Sequence, residues 1–194
     1  MNNVCLVNPF HGLEESFVPT HLIQEPTSGI WVCECVLLGF KRLNTRLFNE
    51  CLEPLSLVSG YRPFQYQKKL FDNKVAFYQS QGMDETTAKL EAAKIVATPG
   101  HSEHQLGLAI DVTTWNMRHL EDPLIASFGE TSSGRWLFEN SYLEGFVLRY
   151  PKDKTHVTHI TYEPWHYRYV GIEVATFMKQ KGLCLEEYIA LNQG

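Results

Sequence analysis

The chain has no lysine or arginine before Lys41. A secretory leader opens on positive charge, so none is expected at this N-terminus. Long apolar runs are missing too: the richest early stretch, Trp31 to Phe40, is broken by Glu34 and falls well short of the roughly 20 residues that cross a bilayer. Lys plus Arg number 17 against 22 Asp plus Glu, a formal net charge of -5, which offers no basic face for phosphate backbones and excludes nucleic acid as a partner. The five cysteines are scattered and odd in number, which fits a reducing compartment rather than a disulfide framework. A soluble, cytoplasmic protein without a membrane span is therefore expected. Cys33 and Cys35 stand two apart on a predicted helix and point to different sides, as buried thiols rather than a metal pair. No repeat, low-complexity tract or Pro/Gly/Ser linker divides the sequence. Its 194 residues suit one domain, 1–194, better than two with poor cores.

What is present is enough apolar material to pack that domain, 44% hydrophobic and 12% aromatic residues. Helical spacing predicts a helix over Val32 to Cys51, closed by Pro54, and a short strand over Leu55 to Val58 that runs into Ser59-Gly60-Tyr61-Arg62-Pro63. Further helices are predicted from Phe64 to about Gln81, stopped by Gly82, and from about Glu85 to Val96, before a Pro99-Gly100 loop. Leu106 to Val112 reads as a strand with Leu106, Leu108, Ile110 and Val112 on one face and only Gly107, Ala109 and Asp111 on the other. A helix over Ser132 to Leu143, strands over Phe146 to Tyr150 and Trp165 to Val170, and helices over Val174 to Lys181 and Leu185 to Asn192 complete the chain. Strands spaced unevenly by helices and long loops predict an α+β fold with a small, mainly antiparallel sheet flanked by helices.

Chemistry concentrates in three segments. The run Ser102 to Asp111 places the His104 imidazole and the Asp111 carboxylate around the bare strand face, where Gly107 and Ala109 leave room for a metal and a substrate. Glu163-Pro164-Trp165-His166 adds a carboxylate and an imidazole three positions apart, with Pro164 biasing Glu163 toward an extended backbone. Two imidazoles and one carboxylate make a three-ligand zinc site with the fourth position open to water, as catalytic zinc requires. Glu163 is then free to serve as the base that takes a proton from the attacking water and passes it to the leaving amine. Arg62, in the turn at a strand end, is the candidate for stabilising the oxyanion. Taken singly, each of these residue types is more often a structural or surface group; together they describe one mechanism. His101, close to Pro99-Gly100, could line the site without binding metal, and it is left out of the metal site together with His11, His21, His119, His156 and His159.

The motifs Ser-Gly-Tyr-Arg, Ser-x-His-x-x-Gly-x-Ala-x-Asp and Glu-Pro-Trp-His, in this order between Ser59 and Gly171, resemble those of the LAS zinc peptidases. That group includes D-alanyl-D-alanine carboxypeptidases, the VanX and VanY types of vancomycin resistance and the hedgehog signalling domain. Tyr162 to Gly171 and Leu148-Arg149-Tyr150-Pro151 look most similar to the cytoplasmic VanXY-type D,D-dipeptidase/D,D-carboxypeptidases. The resemblance implies a hedgehog/D-Ala-D-Ala peptidase-like fold, one zinc ion on His104, Asp111 and His166, Glu163 as base and Arg62 as transition-state donor. It also implies substrate contacts at Ser102 and Gln67. The expected substrates are D-Ala-D-Ala and precursor peptides ending in D-Ala, with pocket walls at Asp84 to Gly100 and Lys152 to Ile160.

Two other functions compete. A zinc endopeptidase of longer wall peptides would need an open groove and export or a wall-binding module. A hedgehog-like zinc domain without turnover would need neither Glu163 nor Arg62.

Overall fold

The computed structural model describes residues 3–192, which form six strands and seven helices joined by short 3-10 turns. Strand β1 (Leu22–Gln24) pairs antiparallel with β2 (Trp31–Cys33), which runs straight into helix α1 (Glu34–Asn49). Then follow β3 (Leu55–Ser59), α2 (Phe64–Ser80), α3 (Glu85–Ala93) and β4 (Ala109–Thr114). Helix α4 (Ser132–Asn140), β5 (Phe146–Leu148), the one-turn helix α5 (Thr155–Thr158), β6 (His166–Tyr169), α6 (Ile172–Lys181) and α7 (Leu185–Asn192) complete the order.

The main sheet has the order β3-β4-β6-β5 with every neighbouring pair antiparallel. An α+β architecture with a small antiparallel sheet is therefore what the chain adopts. Pleating splits its side chains. Leu57, Val112, Ile110 and Tyr167 meet the buried stripe of α1, Val36, Leu37, Phe40, Leu43 and Leu47, in one core. The other face carries Ala109, Asp111, His166 and Arg168, with Asp111 directly opposite His166 and Ala109 opposite Arg168. A second cluster, Phe71, Val75, Ala88 and Ala92, holds α2 against α3 apart from the main core.

Local chemistry explains most boundaries. Pro63 precedes α2, and Gly82, at φ +91°, follows its end, a left-handed turn that costs glycine little. The Asp84 and Thr131 side chains accept from the backbone N–H groups of Thr87 and Gly134 and cap α3 and α4.

Several predicted boundaries differ. The helix expected from Val32 begins at Glu34, because Trp31 to Cys33 are claimed by the ladder with β1 and Cys33 N–H donates to the Gly107 carbonyl. Helix α3 ends at Ala93 rather than Val96. The strand expected from Leu106 begins at Ala109, since Glu103 to Leu106 coil into a 3-10 turn that Gly107 ends at φ +68°. The helix over Ser132 to Leu143 stops at Asn140 and tightens into a 3-10 turn, Ser141 to Glu144, before Gly145. The two late strands are shorter than expected, Phe146–Leu148 and His166–Tyr169, while α6 starts two residues earlier than predicted, at Ile172.

Candidate metal centre

The site is assembled from four segments: the turn after β3, the 3-10 turn before β4, β4 itself and the start of β6. The turn after β3 is fixed by steric necessity. A Cβ on Gly60 would lie 2.5 Å from the Trp31 carbonyl oxygen and 2.6 Å from Val32 Cγ1, so only glycine fits. The Gly60 carbonyl, so placed, lies 2.7 Å from His104 Nδ1 and accepts its proton, while Arg62 N–H donates to the His104 carbonyl at 3.1 Å. These bonds lock the two turns together and leave the His104 Nε2 lone pair facing the site.

Asp111 and His166 arrive as cross-strand neighbours. His166 Nδ1 lies 3.1 Å from Asp111 Oδ1, and His104 Nε2 lies 3.2 Å from Asp111 Oδ2. The two imidazoles meet edge to face with ring centroids 4.8 Å apart. One ligand atom from each of the three residues falls within 4.8 Å of the others, and all three side chains are buried. Short as these separations are, His104 Nε2 and Asp111 Oδ1 are buried without a hydrogen bond. Unpaired buried polar atoms cost free energy, and a convergent set of two imidazoles and a carboxylate is the donor set that a zinc ion satisfies.

The protein groups also shape each other's charge. Burial pushes His104 down to about 4, helped by the nearby Arg62 guanidinium. Burial would raise the Asp111 carboxyl, but the two imidazoles outweigh it and hold the group well below the usual carboxylate range. His166 goes the other way: burial disfavours its charge, yet the Asp111 and Glu103 carboxylates lift it to about 9. Burial likewise dominates at Glu163 and pushes it up to about 7. Asp111 is thus anionic at neutral pH, while Glu163 holds and releases a proton there.

Glu163 Oε2 sits 3.6 Å from His166 Nδ1, and Arg62 Nη2 sits 3.6 Å from Asp111 Oδ2. Both line a cleft of about 580 Å³, together with Ser102, Gln67 and the three metal candidates. All seven sequence-predicted residues are therefore brought together. Gln67 donates to the Ala97 carbonyl, and its Oε1 stays buried and unpaired. Of the two expected walls, Asp84 to Gly100 supplies Ile95, Val96 and Ala97, and Lys152 to Ile160 supplies only Ile160. Sequence reasoning missed the stripe Leu70, Asn73, Lys74 and Phe77 on α2, whose i, i+3, i+4, i+7 spacing after Gln67 was legible, and Asp122 and Leu124. It also missed the role of Glu103, which bonds His166 from behind. His101 does not line the cleft; its Nδ1 is bonded to the Pro99 carbonyl.

A cleft over two imidazoles and one carboxylate, with a second, buried carboxylate beside them, is the frame of a protein that holds one metal ion next to its ligand. The sequence profile of the family described as VanY, D-alanyl-D-alanine carboxypeptidase, matches residues 39–172. The chain belongs to this family. It is 50% identical over 133 residues to a D-alanyl-D-alanine carboxypeptidase of Enterococcus faecalis, covering 69% of this chain and 46% of that protein. The chain therefore spans about half the length of that relative. It is 35% identical to the bifunctional D-Ala-D-Ala dipeptidase and D-Ala-D-Ala carboxypeptidase VanXYC of Enterococcus gallinarum, covering 97% of this chain and 94% of that one. Its fold matches the crystal structure of a mutant of the vancomycin resistance D,D-pentapeptidase VanY, in complex with Zn(II), with a TM-score of 0.83 at 38% identity. That match covers 97% of this chain and 99% of the other. Among the described residues, no helix is long and apolar enough to cross a membrane.

Proposed function

We propose that the chain is a zinc-dependent D,D-dipeptidase/D,D-carboxypeptidase that hydrolyses D-Ala-D-Ala, removes the terminal D-Ala from cell-wall precursor peptides, or does both. Such an activity depletes the target of vancomycin-type antibiotics. The observation that carries the reading is the convergence of His104, Asp111 and His166 beneath a cleft that also holds Glu163 and Arg62. Residues 1–194 act as one catalytic domain. Its five free cysteines, with Cys33 and Cys184 buried, support action on precursors in the reducing cytoplasm.

His104, Asp111 and His166 hold the ion, which when bound supplies Lewis acidity and a water nucleophile at neutral pH. The chain's own groups do the rest. Glu163 Oε2 accepts the proton of the attacking water as the new C–O bond forms, then returns it to the amine as the C–N bond breaks. Its elevated pKa, about 7, suits both transfers. Arg62 stands over the floor of the site, where its guanidinium stabilises the oxyanion that develops on the carbonyl. The unpaired Gln67 Oε1 accepts from a substrate N–H, and Ser102, also lining the cleft, supplies a hydroxyl to the peptide.

Incubation of the zinc-loaded protein with D-Ala-D-Ala, a precursor pentapeptide and L-Ala-L-Ala tests the proposal. Release of D-alanine from either D,D substrate, with none from the L,L control, is expected. No release from the D,D peptides would leave a zinc-binding domain without turnover; cleavage only inside longer wall peptides would make the protein an endopeptidase.

A further inference from the structure

The mechanism makes no use of Glu103, yet its carboxylate is wholly buried next to two wholly buried arginines. Its Oε2 accepts from Arg149 Nε at 2.9 Å and from Arg168 Nη1 at 3.0 Å. Both guanidinium groups are held from behind. Arg149 grips both oxygens of Glu186 on α7 at 2.9 and 2.6 Å, and Arg168 donates to the Asn3 and Cys5 carbonyls at 3.1 and 2.8 Å. Buried charges of this kind are costly, and apolar residues of similar volume often stabilise as well, so stability alone does not explain the cluster.

What the cluster achieves is orientation. With Oε2 taken by the arginines, Oε1 is left 3.2 Å from His166 Nε2. A ring bonded there presents its other nitrogen, Nδ1, to Asp111 Oδ1. The geometry points to Glu103 as a positioning residue: its Oε1 accepts the Nε2 proton of His166 and fixes the tautomer whose Nδ1 lone pair faces the metal site. The inference rests on His166 as a ligand, and carboxylate partners of this kind orient metal-binding imidazoles generally. Through Arg149 and Arg168, the anchor of one ligand reaches α7 and the N-terminal segment.

The test uses the intact, zinc-loaded protein labelled with 15N-histidine, with His166→Gln to assign its signals. A long-range 1H–15N correlation spectrum should place the His166 proton on Nε2. Glu103→Asp keeps the charge between the arginines but withdraws the carboxylate by one methylene, and chelator competition should show zinc affinity about 10- to 100-fold weaker. A proton on Nδ1, or a folded Glu103→Asp variant within twofold of the parent's zinc affinity, overturns the inference. Should that variant not fold, the spectrum of the unsubstituted protein decides alone. A parent protein that retains no zinc overturns the metal reading itself, and the positioning role with it.

Discussion

At the scale of single residues, two carboxylates that face the same nitrogen of His166 are given opposite tasks by their surroundings. Asp111 faces two imidazoles that hold it ionised, whereas Glu163 lies buried at the cleft and keeps a proton near neutrality. Glu163→Gln preserves size and hydrogen bonding but cannot accept a proton. It should keep its fold and its zinc while kcat on D-Ala-D-Ala drops by about a hundredfold or more. Loss of zinc in this variant would instead make Glu163 a ligand. Arg62→Ala should also lower kcat by about a hundredfold or more with zinc retained. Were KM alone to rise, Arg62 would be a clamp for the substrate carboxylate.

The residues with that chemistry were legible in the sequence because their three segments together describe one mechanism and match the motifs of a known family, although each taken singly reads as structural. Glu103 was not. It stands between Ser102 and His104 at a position the motif leaves unspecified, and nothing local marks it as the partner of an imidazole 63 residues away.

At the scale of elements, the site depends on one close crossing. The turn after β3 passes so near β2 that a side chain at position 60 would strike the Trp31 carbonyl. That turn carries both Arg62 and the carbonyl that accepts from His104 Nδ1. Gly60→Ala should therefore destabilise the fold by about 1–3 kcal/mol, as overpacked sites do, and also weaken zinc binding. Thermal unfolding together with chelator competition checks both. A loss of stability with unchanged zinc affinity would show that the turn does not set the position of His104. This crossing could not be read in advance, since β2 looks like the first turn of α1 until its partner β1 is known. Helices α2 and α7, whose signals are local, were placed within a residue of their observed ends.

At the scale of the whole molecule, the question is whether the metal holds the fold or the fold holds the metal. Asp111 and His166 are fixed by the β4-β6 ladder, and His104 by a backbone carbonyl, so every candidate ligand is positioned by contacts that do not involve an ion. Beneath them lies a core of α1, β3 and β4 that contains none of the three. Stripping the metal with a chelator should accordingly leave the far-UV circular dichroism unchanged and abolish hydrolysis. Restoring free zinc to about a hundred times its Kd should add about 2.7 kcal/mol to stability by mass action. For a chain of this length, that corresponds to a rise in Tm of roughly 5–10 °C. A native-like spectrum with a zinc-dependent Tm marks a preformed catalytic site. If chelation instead abolishes the helical signal, the ion is structural, and the buried, unpaired His104 Nε2 and Asp111 Oδ1 are groups the chain cannot fold around without it.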